Sequence, residues 1–178
     1  MSEHCNPLAG LRGLLLAGTL LLSGCAGYGG SDLKPGTSTL PEVIASMGAP
    51  ALRWKNPDGS EQLAYPRGPA GTQTFMAYVG PDGRLQRIER VLDADHFARI
   101  RAGMSQDEVL RVLGPPGAEW TEYYSRRNEL VWSWLSCNDW SLQEFFDVMF
   151  DGTTGNVRST GRHPHLVGPD GIQPRCGR

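Results

Sequence analysis

The chain has little net charge, few candidate metal ligands and no apolar run long enough to cross a bilayer. It holds 17 Lys and Arg against 19 Asp and Glu, a net charge of −2. Such a balance gives no reason to expect nucleic acid or an anionic surface as partner. Only four His and four Cys occur, and none falls in a compact ligand spacing. A His-Glu-x-x-His pair, a Gly-x-Ser-x-Gly elbow and a phosphate-cradling Gly loop are all missing. Nothing in the residues therefore points to catalysis or to a bound cofactor. The longest apolar stretch, Leu14 to Leu22, is too short for a membrane span.

That stretch has a different use. Arg12 precedes it, and it ends in Leu22-Ser23-Gly24-Cys25. A short apolar run followed by small residues reads as a signal peptide, here over residues 1–24. The sequence Leu-Ser-Gly-Cys directly after the apolar run resembles the lipobox of bacterial lipoproteins. That resemblance implies acylation of Cys25 as the new N-terminus. Residue 26 is Ala and not Asp, which by the sorting habit of such lipoproteins implies the outer membrane. The Gly- and Ser-rich segment 25–37 reads as a flexible tether between lipid and fold.

Two stretches of the mature chain repeat one phrase. Ser105 to Pro116 reads Ser-Gln-Asp-Glu-Val-Leu-Arg-Val-Leu-Gly-Pro-Pro. Ser105 and Glu108 form a capping box, Asp107 and Glu108 suit the helix dipole, and Val109, Leu110 and Leu113 share one face. Gly114 and the two prolines end the helix. Thr39 to Pro50 follows the same pattern: Thr39, Glu42, Gly48, Pro50 and Trp54 precede Ser105, Glu108, Gly114, Pro116 and Trp120 by one constant offset, 66 residues. Leu63 and Tyr65 match Leu130 and Trp132 at an offset of 67. An ordered series of this kind indicates two copies of one unit, at 38–93 and 94–161, with a Pro- and Gly-rich tail at 162–178.

After each capped helix the sequence predicts strands joined by tight turns. In the first copy these are 51–55, 61–65, 72–79 and 85–92, with Asn56-Pro57-Asp58-Gly59 and Gly80-Pro81-Asp82-Gly83 as turns. Phe75, Ala77 and Val79 face one way and Met76 and Tyr78 the other. Leu85, Arg87, Glu89 and Val91 share one face of the last strand. The second copy adds a lead-in helix with Phe97, Ile100 and Met104 as a stripe, then strands at 119–124, 129–135, 142–150 and 157–160. Hairpin-linked strands are antiparallel. The expected fold class is α+β: two tandem units, each with one or two short helices on a three- to four-stranded antiparallel sheet.

The phrase Phe97-Ala98-Arg99-Ile100-Arg101-Ala102-Gly103-Met104-Ser105, leading into Glu108-Val109-Leu110 and Gly114-Pro115-Pro116, resembles the SmpA/OmlA (BamE-like) domain. The likeness covers about 93–161, and the first copy matches only the second helix and the sheet. It implies a non-enzymatic outer-membrane lipoprotein, facing the periplasm, that binds protein partners in outer-membrane assembly or envelope maintenance. The tandem arrangement also resembles the β-lactamase inhibitor protein fold, which implies the alternative of an inhibitor-like or ligand-binding periplasmic module.

The second copy is rich in aromatics: Trp120, Tyr123, Tyr124, Trp132, Trp134, Trp140, Phe145, Phe146 and Phe150. A sheet covered on one side needs one apolar face, yet both faces carry large apolar groups. The surplus is covered either by the rest of the chain or by a partner. Tyr124, Trp132, Trp134 and Trp140 are the expected partner-binding residues. With Cys5 removed and Cys25 acylated, Cys137 and Cys176 remain. In an oxidising compartment they are expected to form a disulfide, in preference to a zinc site with His163 and His165.

Overall fold

The computed structural model describes residues 29–67 and 71–177. Residues 1–24, expected to be a signal peptide, and the expected acylation site Cys25 lie outside the described residues. The first unit consists of helix α1 (Leu40–Met47) and strands β1 (Leu52–Lys55), β2 (Glu61–Pro66), β3 (Thr74–Val79) and β4 (Leu85–Arg90). The second has helices α2 (Ala94–Phe97) and α3 (Gln106–Leu113) and strands β5 (Thr121–Tyr124), β6 (Glu129–Cys137), β7 (Gln143–Asp151) and β8 (Val157–Pro164). Each sheet is antiparallel throughout, with its four strands in sequence order. The architecture is α+β in two units.

The two long helices begin and end alike. The backbone N–H of Thr39 donates to Glu42 Oε2 at 2.6 Å, and that of Ser105 to Glu108 Oε2 at 2.7 Å. These bonds hold both glutamates below their usual pKa. Gly48 and Gly114 close the helices at φ of 84° and 74°, backbone that side chains disfavour. Thr39 then bridges to Arg84, and Ser105 to Asn156, tying each helix start to the last hairpin of its own unit.

Each helix covers the same face of its own sheet. Val43 and Met47 of α1 pack on Leu63, Tyr65, Phe75, Ala77 and Val79. Val109 and Leu113 of α3 pack with Phe97 and Ile100 on Trp134, Phe146, Val148 and Phe150. Phe97 stacks on Phe146 with centroids 4.1 Å apart. The opposite face of the first sheet, with Ala64 and Met76 fully buried, meets the back of α3. There Trp54 donates to Asp107 at 2.9 Å, and Gln62 donates to the Arg111 carbonyl at 2.5 Å. The layers therefore run α1, first sheet, α2 and α3, second sheet. No fifth layer follows among the described residues.

Three expectations change. Residues 29–37 do not form a free tether: Gly30 is buried, Leu33 joins the α1 core, and Gly36 donates to the Leu85 carbonyl at 2.7 Å. A bulge at Tyr78/Val79 resets β4, so Leu85 and Ile88 share a face, not Leu85 and Arg87. Simple alternation runs past that bulge because one extra residue leaves no mark in composition. Strand β8 continues to Pro164, so Gly161 to Pro164 belong to the sheet and not to the tail.

The tail returns to the β6–β7 hairpin. Gln143 donates to the Pro174 carbonyl at 2.8 Å and Cys176 to that of Ser141 at 2.9 Å. Cys137 and Cys176 are disulfide-bonded, so neither is available as a thiolate for the zinc alternative.

Candidate functional site

The expected binding residues do not form one surface. Trp134 is 2% exposed and stands in the core under α3, where its indole N–H donates to the Gly114 carbonyl at 3.2 Å. Trp132 is half-buried on that same helix-covered face, edge-on to Phe150 at 4.7 Å. Both belong to packing, because β6 turns the Leu130, Trp132, Trp134 side toward the helices. Tyr124 lies on the opposite face and is 38% exposed. Trp140, 80% exposed, sits at the tip of the β6–β7 hairpin. Of the four, only Tyr124 lies on an uncovered sheet face.

That uncovered face carries a groove of about 260 Å³. Trp120, Phe145, Val131 and Ser133 form its floor, and Tyr124, Glu119, Glu122, Asp147 and His163 its walls. Period-two geometry puts them together. Glu122 pairs with Val131 in register, Ser133 with Asp147, and Phe145 with His163. Trp120 meets Phe145 edge-on at 4.8 Å, and Phe145 stacks with His163 at 5.1 Å. Phe145 is 8% exposed, because Trp120 of the short helical turn 118–120, His163 and His165, 4.9 Å away, pack around its ring at the end of the face.

The polar groups of the groove are fixed. Ser133 Oγ donates to Asp147 Oδ1 at 2.6 Å, and His163 Nδ1 lies 2.8 Å from Asp147 Oδ2. The Tyr124 hydroxyl donates to Glu122 Oε2 at 2.7 Å, a bond that pushes the phenol pKa up. Arg127 stands 4.5 Å over the Tyr124 ring from the rim, paired with Glu129. Three carboxylates and one histidine are the ionisable groups lining the groove, apart from the phenol. Among the described residues no group of three or more His, Cys, Asp and Glu is placed to hold a metal ion.

Sequence reasoning reaches the aromatics of this site but not its acids. Alternation along β6 places Val131 and Ser133 opposite Leu130, Trp132 and Trp134, and they line the groove on that opposite face. Extending the same alternation to Glu122 on β5 and Asp147 on β7 identifies the carboxylates. That requires the pairing register, which hairpin lengths set and composition does not.

No protein-family model matches the chain, and no curated protein matches it. A solved structure described as an osmotically inducible lipoprotein, OsmE, is 30% identical to it over 40% of this chain and 72% of that one, with a TM-score of 0.33. No helix among the described residues is long and apolar enough to cross a membrane.

Proposed function

We propose that the chain is a non-enzymatic lipoprotein, anchored through Cys25 in the outer membrane and facing the periplasm, that binds protein partners in support of outer-membrane assembly or envelope maintenance. The observation that carries the binding half is the uncovered outer face of the second sheet. The equivalent face of the first sheet is buried under α3, whereas this one ends the stack with an aromatic-floored groove. Large aromatics on a preformed surface bury much area at little entropic cost.

The anchoring half rests on Leu22-Ser23-Gly24-Cys25. The N-terminal segment supports it. Gly29 lies against the Phe75 ring, and four residues span at most about 14 Å. An acyl chain on Cys25 would thus hold the first unit close to the bilayer, leaving the second sheet at the far end of the stack.

The test is site-specific photo-crosslinking in intact cells with a photoreactive residue at Tyr124, and at Asp95 as a control. A protein adduct at Tyr124 alone is the expected result. No adduct at Tyr124, or equal adducts at both sites, refutes the reading. Cys25→Ala should release the mature protein from the membrane fraction; retention there refutes Cys25 as the anchor.

A further inference from the structure

We infer that the outer groove of the second sheet receives a basic segment of a partner protein, placing an arginine or lysine side chain among Glu119, Glu122, Asp147 and the Trp120 and Phe145 rings. This rests on the partner-binding reading above and adds the chemistry of the partner.

The first unit shows what the equivalent face accepts. Counting from the matched bulges at Tyr78/Val79 and Met149/Phe150, the pairing registers align Trp54 with Glu122, Asn56 with Tyr124, Gln62 with Val131 and Met76 with Asp147. On the first sheet this face is covered by a helix that presents an arginine. Arg111 lies 5.3 Å from the Trp54 ring centroid, its Nη1 donates to Asn56 Oδ1 at 3.2 Å, and its Nε donates to Asp107 at 2.8 Å. A ring, an amide oxygen and a carboxylate surround that guanidinium, and the helix itself supplies the carboxylate.

On the second sheet no α-helix among the described residues covers the same face; the turn 118–120 and His165 lie only at its Phe145 end. Its rings, Trp120, Phe145 and Tyr124, stand at positions other than that of Trp54. Its carboxylates are now built into the strands, at the positions of Trp54 and Met76. Where the first sheet meets a helix that carries its own acid and arginine, the second supplies acids from its own unit; of the lining residues only His163, beside Asp147, is basic, and Arg127 stands at the rim over Tyr124. An ammonium or guanidinium over an aromatic face and beside a carboxylate is a favourable arrangement. The volume suits one long side chain, and the groove lies open across all four strands. That shape fits a side chain projecting from a protein better than an enclosed free amine. The occupant is therefore a basic protein segment.

The probe is a short capped helical peptide bearing arginines, titrated against the full-length protein in detergent. An identical peptide with glutamates in place of the arginines, and spermidine, run beside it. The arginine peptide is expected to bind, and Glu119→Gln and Glu122→Gln each to weaken it roughly tenfold, a change of about 1.4 kcal/mol. Asp95→Asn, elsewhere on the surface, should leave binding unchanged. Both acids are exposed, so melting curves matching the parent will show that fold is not the cause. Equal binding of the glutamate peptide, spermidine binding as tight as the peptide, or full affinity in both Gln variants overturns the inference. Crosslinking at Tyr124 without arginine-peptide binding leaves the partner-binding reading standing and refutes this one. Glu122-dependent peptide binding without any crosslink in cells does the reverse.

Discussion

The indole N–H of Trp54, in the first sheet, donates to the carboxylate of Asp107, in the first turn of the second unit's helix, at 2.9 Å. Asp107 also accepts from Arg111 Nε, and these two bonds, the arginine's first, hold the carboxyl below its usual pKa. The helix thus belongs to two sheets: Val109 and Leu113 face the second, while Asp107 and Arg111 face the first. Trp54→Phe should destabilise the protein by about 0.5–1 kcal/mol. A charged acceptor raises the value of the bond, and the exposure of Asp107 lowers it. In a double-mutant cycle with Asp107→Ala, which removes the acceptor, the two losses should not add. Full additivity in urea melts would show that the bond contributes nothing.

The paired glycines give a second test. Gly48 and Gly114 end equivalent helices at similar positive φ, but their surroundings differ. A Cβ on Gly48 meets nothing within 4 Å, whereas one on Gly114 would lie 2.7 Å from Thr74 Cγ2, across the joint between units. Gly48→Ala should lose about 1–3 kcal/mol from backbone strain alone. Gly114→Ala should lose more, because Thr74 is buried and has little room to yield. Equal losses in thermal melts would mean that the joint relaxes freely.

The helix signals are legible in the sequence because each is local. A cap, a glutamate three residues on and a terminal glycine fix both ends without reference to the rest of the chain. The strand equivalence is legible only by face. The match of Tyr65 to Trp132, and of Trp54 to Trp120, slips by two residues: the register aligns Tyr65 with Trp134 and Trp54 with Glu122. A slip of two keeps every side chain on its own face, so the apolar pattern cannot reveal it. The loops of the second unit differ in length from those of the first, and the constant offset holds only through the helix. The groove is hidden for the same reason, since two of its acids, Glu122 and Asp147, come from β5 and β7 and meet only through the register.

Tyr65 carries a prediction about alkali. Its hydroxyl is buried without a hydrogen-bond partner among the described residues, and burial, against the nearby Arg67, pushes its pKa up to about 12. An unpartnered buried hydroxyl costs stability. Tyr65→Phe should therefore raise stability by about 1 kcal/mol. The pH dependence has a definite sign. Below about pH 10 the phenol is neutral in both states and gives no slope. Between about pH 10 and about 12 the unfolded chain ionises and the folded one does not, so stability falls as pH rises. Tyr65→Phe should flatten that limb. An unchanged alkaline limb in pH-dependent chemical melts would show that Tyr65 does not govern it.

Asp151 acts at the other end of the scale. Backbone N–H groups of Thr154 and Thr153 and the Arg158 guanidinium pull its pKa down to about 2, the Thr154 bond foremost. A depressed carboxyl contributes stability above its unfolded pKa and loses it as pH falls through the folded value. The contribution should be complete above about pH 4 and disappear toward about pH 2. In Asp151→Asn the acid limb of a stability curve should be shallower across that window. An identical limb would place the acid sensitivity elsewhere, for instance in the capping glutamates.

The two faces of the second sheet predict opposite behaviour for aromatics on neighbouring strands. Trp134 is fully enclosed between β6 and α3, and its N–H is spent on the Gly114 carbonyl. Trp134→Ala leaves a cavity and an unpaired carbonyl, and should destabilise by about 3–5 kcal/mol with a clear fall in Tm. Tyr124 contacts Glu122 and Arg127 at the surface, so Tyr124→Ala should shift stability by no more than about 0.5 kcal/mol while abolishing capture of the arginine peptide. Trp132, half-buried on the core face, should fall with Trp134 and keep whatever capture its folded fraction allows. Melting and peptide capture measured on the same three variants separate the alternatives. If Tyr124→Ala unfolds the protein, its face is structural and not a docking site. If Trp134→Ala melts like the parent yet loses capture, the partner docks on the side of the sheet assigned to α3, and α3 does not cover that side in solution.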